Sequence, residues 1–477
     1  MTSFLWHDYE TFGVNPRFDR PAQFAAIRTD TEFNPIGEPI EWFCQPSLDQ
    51  TPSPEACLIT GITPQAAAER GVIEPEFIRL VLGELGTPGT IGVGYNSLRF
   101  DDEVTRHTAW RNFHDPYARE WRNGCGRWDL IDMVRLTYAL RPDGVEWPLR
   151  DDGQPSFKLE HLAQANGLEQ QRAHDAVSDV RATIALAGLI RKRQPRLYDF
   201  VWSHRDKASA RSMLDLDRHM PVLHVSEKFP ATQGCLSLIM PLCPHPTNSN
   251  AVICYDLRHD PSALIDLPAV DVHERIFTPR ADLPEDVERI ALKGVHVNRA
   301  PVLVPVNTLK PEQAERVALD LDQCRRHWKQ LADAMDNVAD KAAAVFAMAE
   351  FDAPSDPEQD LYGGFVGDED RRLCERIPGL APAEFDNLEL PFRDKRLHDL
   401  LFRYRGRYHP DSLNDAERDE WNQFRSNRLE FAPDGGLGLN DYDTAITALQ
   451  AQCAGDAGKL QILKSLSDWG RLLRDSL

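Results

Sequence analysis

The chain has 477 residues, enough for roughly three domains at about 150 residues each. Its 54 Lys and Arg against 75 Asp and Glu leave a formal charge of −21. Bulk charge therefore does not hold it to DNA or to an anionic membrane, although a local basic channel needs only a few well-placed cations. No run approaches about 18 consecutive apolar residues, so no transmembrane helix is expected. The opening Met-Thr-Ser-Phe-Leu-Trp-His-Asp lacks the basic region of a signal peptide, and a cytoplasmic protein is the expectation. The nine cysteines are scattered without a Cys-x-x-Cys pair and read as reduced thiols, not zinc ligands or disulfides.

Residues 1–195 read as strands and helices in alternation. Phe4 to Thr11, Gln23 to Thr29, Pro39 to Cys44 and Ile91 to Tyr95 are predicted strands, with turn material such as Asn34-Pro35-Ile36-Gly37 between them. Asp101 to Phe113, Arg127 to Leu140 and Asp175 to about Arg193 are predicted helices; in the last, Val177, Val180, Ile184 and Ala187 recur at helical spacing. This order implies an α/β layer fold. Residues 196–351 turn β-rich at Val222 to Val225, Cys235 to Met240, Ala251 to Leu257 and Val302 to Val306, which predicts a small barrel or sandwich. Two helical runs follow it, Pro311 to about Leu331 and Asp336 to Glu350. After the Pro/Asp-rich link Asp352 to Glu358, residues 352–477 read as helical, at Asp394 to Arg407, Asn414 to Ser426 and Asp441 onward.

The most informative string is His7-Asp8-Tyr9-Glu10-Thr11-Phe12-Gly13. Side chains alternate along a strand, so Asp8 and Glu10 share a face. Two adjacent carboxylates repel unless a cation lies between them, and Mg²⁺ and Mn²⁺ are hard ions that take oxygen ligands. An exposed edge strand with two solvated acids fits the same string. Asp101 opens a predicted helix and is either a further acid of such a site or an N-cap. His174 and Asp179 are five residues apart, about 500° of helix, and converge only if His174 lies on the loop before the helix and Asp179 on its first turns, a geometry that Asp175 supports as an N-cap. A capped helix with a surface histidine fits equally well.

Together Asp8, Glu10, Asp101, Asp179 and His174 resemble the DnaQ-like (DEDDh) exonucleases in type, order and spacing. The resemblance extends to the bacterial exodeoxyribonuclease I family. It is carried by Asp8 to Gly13, Asp19 to Thr29, Leu58 to Pro64, Arg99 to Arg106, Arg127 to Leu130, Tyr138 to Pro142, His296 to Leu303, Asn307 to Leu309 and Leu400 to Arg405. It implies a ribonuclease H-like exonuclease domain, a Src-homology-3-like β-barrel domain and an α-helical C-terminal domain. The implied activity is processive 3′→5′ hydrolysis of single-stranded DNA to nucleoside 5′-phosphates in repair and recombination.

On that resemblance Asp8, Glu10 and Asp179 are expected to hold two Mg²⁺ ions, with Mn²⁺ as a substitute; Asp101 completes the site and His174 is the general base. Glu10 is also expected to touch substrate. Lys158 stands where the family usually has Arg, keeping the charge but losing the bidentate fork. Bases of a single strand stack on rings and its phosphates need cations, which points to Arg106, Tyr117, Trp121, Arg135 and Arg141. Tyr117 and Trp121 fit a core equally well, and Thr60-Gly61-Ile62 is either a contact to the terminal nucleotide or a turn. Lys207, Asn250, His296, Asn298, Asn307 and Tyr362 are further candidates. Lys395, Arg396, Arg403, Arg405 and Arg407, interleaved with Phe402, Tyr404 and Tyr408, form either a strand-binding face or a solvated helix. The family also implies a partner, the single-stranded DNA-binding protein through its acidic tail, and a monomer. RNA ends, a proofreading strand and a catalytically dead scaffold are the rival readings.

Overall fold

A computed structural model describes residues 2–168, 176–349, 354–386, 388–433 and 435–477. His174, the expected cap Asp175 and Asp352 at the start of the link lie outside the described residues. The chain divides into two compact units. The first comprises Met1–Arg127, Gln170–Arg181 and Ala353–Leu477, and the second Trp128–Glu169 and Ala182–Asp352.

The first unit is built on β1 (Ser3–Thr11), β2 (Pro21–Thr29), β3 (Ile40–Phe43) and β4 (Thr90–Gly94). With β5 (Gly126–Asp129), in which the chain leaves this unit, the sheet order is β3-β2-β1-β4-β5. β1 is central, antiparallel to β2 and parallel to β4. Leu5 and Tyr9 pack with Phe24 of β2 and with Phe77, Ile78, Val81 and Leu85, the apolar stripe of the helix Glu74–Leu85. Burying that stripe is what seats the strand. Three helices between β3 and β4 escaped the sequence reading: Pro54–Thr60, Pro64–Arg70 and Glu74–Leu85. Each has proline in its first turn, which reads as a breaker but is at home where an amide has no helical partner.

At the end of β4, a Cβ on Gly94 would lie 2.5 Å from the Ser97 side chain and 3.1 Å from the His7 carbonyl, so only glycine lets the chain turn there. The buried helix Asp101–Arg111 follows. The residues after 353 supply the helices Lys395–Tyr408, Asp415–Glu430, Leu439–Gln452 and Ala457–Asp475. The run expected from Asp441 onward is thus two helices, interrupted around Cys453 and capped again by Asp456.

In the second unit β6 (Val222–Val225), β7 (Leu236–Pro244), β8 (Ala251–Asp256), β9 (Leu292–His296) and β10 (Leu303–Pro305) form an antiparallel sheet of order β10-β6-β7-β8-β9. Its core packs Ile239, Cys254, Val295 and Leu303. β9, Leu-Lys-Gly-Val-His, was not predicted because its glycine and lysine interrupt the β-branched signal. The expected helix from Arg127 begins only at Leu130. Asp129 closes the strand and caps the helix, its carboxylate accepting the Ile131 amide at 3.0 Å. The expected helix from Pro311 is two, Pro311–Arg316 and Leu321–Asp333, the second capped by Asp320.

A buried ionic cluster ties the N-terminal sheet of the first unit to its C-terminal helices. Glu358 meets Arg20 at 2.7 Å, Arg407 at 2.5 Å, Arg428 at 3.4 Å and Arg403 at 3.6 Å. Asp49 meets Arg407 at 2.7 Å, and Asp356 meets Arg403 at 2.5 Å and Arg428 at 2.7 Å. Glu74 accepts from Arg111 at 2.8 Å and is 3.2 Å from Arg20. Burial alone would raise the Glu74 carboxyl, but Arg111 and Arg20 outweigh it and hold it down to about 2. Removing one member of such a buried set leaves the rest uncompensated and costs about 3–5 kcal/mol. Glu358→Gln is therefore expected to lose that amount in urea denaturation, and a loss below about 1 kcal/mol would refute a structural role. Because the folded Glu74 carboxyl lies below its unfolded value, its contribution is complete above the ordinary glutamate range and disappears as pH falls toward 2. The stability difference between wild type and Glu74→Gln is expected to close over that interval.

Candidate metal centre and nucleic-acid interface

β1 turns Asp8 and Glu10 to one side and His7 and Tyr9 to the other. Asp179 comes from the first turn of the helix Ala176–Arg193. One carboxylate oxygen from each of Asp8, Glu10 and Asp179 lies within 4.8 Å of the others. Asp101 does not cap its helix: Phe100 holds the cap position, and the Asp101 carboxylate accepts the Tyr9 amide at 2.9 Å. Burial, then the charges of Asp101, Glu10 and Asp179, push the Asp8 carboxyl well above the usual carboxylate range. Such a set of hard oxygen donors, crowded by its own negative charge, fits a divalent cation and matches Mg²⁺ or Mn²⁺ in ligand type.

Behind the acids the strand is neutral. Burial and the Arg119 charge lower the His7 imidazole to about 4, so it stays uncharged near neutral pH. Asp102, next to Asp101, is held by Arg119 and, at 2.8 Å, by Arg127, which keep its carboxyl below the usual range despite burial. The sequence reading missed this clamp, since its arginines lie 17 and 25 residues away and nothing local signals the pairing.

Several residues expected to contact the strand have partners within the first unit. Arg106 bonds Glu120 at 2.8 Å, Glu103 at 2.7 Å and the Tyr362 hydroxyl at 3.1 Å. Tyr362 in turn donates to Glu103 at 2.7 Å while its ring stays half exposed. Tyr117 packs against the cluster of Trp110, Phe113 and Tyr404, whereas Trp121 is 64% exposed. Thr60 ends a helix, Gly61 supplies its left-handed cap at φ 72°, and Ile62 packs toward Phe12, Cys57 and Tyr442. The basic helix Lys395–Tyr408 is neither a solvated face nor an open cationic one. Arg403 and Arg407 belong to the ionic cluster, Arg405 pairs with Glu417 at 2.7 Å, and Arg396 pairs with Asp394 at 2.6 Å, while Tyr404 is core.

In the second unit Lys158 is 67% exposed and 3.5 Å from Glu160. Arg135 is buried and paired with Asp132 at 2.7 Å. Arg141 donates to the carbonyls of Leu140 and Thr308 at 2.6 and 3.1 Å. Lys207 donates to Asn250 at 2.5 Å. His296 ends β9, its imidazole lowered to about 4 by burial, Arg299 and His245. Asn298 and Asn307 are exposed.

Three family models match in succession: the Exonuclease model over residues 5–187, the Exonuclease I SH3-like domain over 205–348 and the Exonuclease I C-terminal domain over 355–473. The Exodeoxyribonuclease I of Escherichia coli K12 is 45% identical over 467 residues, covering 98% of this chain and 97% of that protein.

The chain belongs to the exodeoxyribonuclease I family.

Like its relatives, it is a nuclease with an exonuclease domain, an SH3-like domain and a helical C-terminal domain. The solved exonuclease I of Methylocaldum szegediense is similar at 50% identity and TM-score 0.94, covering 99% of this chain and all of that one. E. coli exonuclease I in complex with a dA16 oligonucleotide aligns at 44% identity and TM-score 0.94, with the same coverage. An SSB/exonuclease I structure in complex with the inhibitor CFAM matches at 42%, covering 99% of this chain and all of that one at TM-score 0.91. A zinc-bound E. coli exonuclease I–single-stranded DNA complex matches at 43%, covering 99% of each at TM-score 0.93.

The Asp8 carboxyl carries a test of the site. Its folded value lies above its unfolded one, so without cation the group lowers stability as pH rises through that interval. Asp8→Asn is expected to raise the cation-free melting temperature at pH 8. It is also expected to abolish the increase that Mg²⁺ gives the wild type, worth about 2.7 kcal/mol at a hundredfold excess over Kd. An undiminished Mg²⁺-induced increase in the variant would exclude Asp8 from the cation site.

Proposed function

We propose that the chain is a Mg²⁺-dependent exodeoxyribonuclease that degrades single-stranded DNA processively from the 3′ end. It releases nucleoside 5′-phosphates and serves DNA repair and recombination in the bacterial cytoplasm. The observation that carries this reading is the convergence of Asp8, Glu10 and Asp179 within 4.8 Å, with Asp101 acting on the same carboxyl. The oligonucleotide bound to the E. coli relative supports single-stranded DNA as substrate. The boundaries we assign are 1–195, 196–351 and 352–477.

Asp8, Glu10 and Asp179 would hold two divalent cations, and Asp101 would complete the charge of the site. Bound there, the cations would supply electrostatic stabilisation for the phosphodiester and a lowered pKa for the attacking water, and Mn²⁺ would serve in place of Mg²⁺. His174 removes the proton of that water, an imidazole being suited to a general base near neutral pH. Lys158 offers its ammonium to a substrate phosphate as a point charge.

The exposed ring of Trp121 and the half-exposed ring of Tyr362 stack bases. In this reading Arg106 acts through Tyr362, and Lys207, Asn250, Asn298 and Asn307 bond the backbone. The enzyme works as a monomer and binds the single-stranded DNA-binding protein through that protein's acidic tail; the SSB-containing relative supports the partner.

End-labelled DNA and RNA oligonucleotides, incubated with Mg²⁺ or with chelator, test the reading. Mononucleotides are expected first from the 3′ end of DNA and only with Mg²⁺. Asp179→Ala is expected to lose on the order of 10³-fold in rate, about 4 kcal/mol of transition-state stabilisation. Release from the 5′ end, preference for RNA, or an active Asp179→Ala would each overturn it.

A further inference from the structure

The fourth acid is fixed by a short chain of hydrogen bonds that begins between the two acids of β1. Tyr9 sits between Asp8 and Glu10, and its amide donates to the Asp101 carboxylate at 2.9 Å. Its hydroxyl lies 3.1 Å from the Thr105 hydroxyl, which is 2.8 Å from the Asp101 carbonyl. Each hydroxyl has one proton to give. Both are satisfied when Thr105 donates back to the Asp101 carbonyl, one helical turn earlier, and Tyr9 donates to Thr105.

Tyr9 thus holds Asp101 at both ends, by its carboxylate and by its backbone. All three residues are buried, where an unmade hydrogen bond is costly. The Tyr9 ring cannot swing away: it meets the Phe24 ring edge-on at 4.9 Å and lies 6.3 Å from the Phe77 ring. Asp102, clamped by Arg119 and Arg127, keeps the same helical turn from rotating.

We propose that Tyr9 and Thr105 are positioning residues for Asp101, setting the distance between the fourth acid and the Asp8–Glu10–Asp179 cluster. The role rests on the cation-dependent nuclease reading and deepens it. Tyr9 turns the strand's own register into a ruler for the site: any shift of the helix Asp101–Arg111 relative to β1 must break the hydrogen bond from the Tyr9 amide, the hydroxyl relay, or both.

Thr105→Val keeps shape and removes the hydroxyl; Thr105→Ser keeps the hydroxyl; Tyr9→Phe keeps the ring. Each is measured in the full chain by Mn²⁺ calorimetry, by kcat and KM on single-stranded DNA, and by melting temperature. Thr105→Val and Tyr9→Phe are expected to bind Mn²⁺ on the order of tenfold more weakly and to lose kcat to a similar degree at unchanged KM. Thr105→Ser is expected to restore both. Combining Thr105→Val with Tyr9→Phe is expected to cost little more than either alone, because both cut one relay. Wild-type Mn²⁺ affinity and kcat in both single variants would overturn the proposal. So would losses that merely track melting temperature and recur in Thr105→Ser. If the wild-type protein cleaves no single-stranded DNA, the functional reading fails, while the Mn²⁺ titrations still decide the positioning role.

Discussion

Like charges forced into one corner of a fold are the constraint around which this protein is arranged. Asp8 and Glu10 share a strand face by the geometry of the extended chain, and the helix Ala176–Arg193 brings Asp179 to the same place. The contrast with the other buried acids is instructive. Glu74, Asp102, Asp356 and Glu358 are each met by arginines that hold their carboxyls below the usual range. Asp8 is driven the other way, and the strongest charges upon it are those of its fellow acids. Where arginines neutralise those four acids, Asp8 is instead crowded by carboxylates, which is the pattern of a cation site.

The ionic cluster joins the strands around the site to the C-terminal helices of the same unit. Arg20 follows the loop after β1, Glu74 opens the helix that packs under it, and Glu358, Arg403, Arg407 and Arg428 come from the C-terminal residues of the same unit. Charges buried this way add little net stability compared with a well-packed apolar core, but they tolerate few alternative arrangements. Apolar contacts run in parallel, Phe12 and Cys57 meeting Tyr442 and Leu463. The exonuclease sheet and the C-terminal helices of this unit are therefore one body chemically as well as topologically.

The strand carrying the site was legible because alternation is a local property: His7 to Thr11 shows which side chains share a face without reference to anything distant. The role of Asp101 was half legible. Its position at a helix start fits a cap, and only the paired strand reveals that its carboxylate instead reaches the Tyr9 amide, 92 residues away. The basic helix Lys395–Tyr408 shows the limit most sharply. An arginine awaiting phosphate and one already paired look identical in sequence; Arg407 finds Asp49 across 358 residues. The short strand Gly126–Asp129 was absorbed into a helix because aspartate at its end serves as a cap, a role that composition alone does not distinguish from a first-turn acid. The family resemblance, by contrast, drew on ordered strings along the whole chain and so was indifferent to these local ambiguities.

The central claim is that Asp8, Glu10 and Asp179 share divalent cations. Anomalous diffraction from crystals of the full chain soaked in Mn²⁺ addresses it directly. The account predicts Mn²⁺ density at direct coordination distance from oxygens of all three carboxylates, absent from Asp8→Asn crystals. Density elsewhere, or none in saturating Mn²⁺, would contradict it.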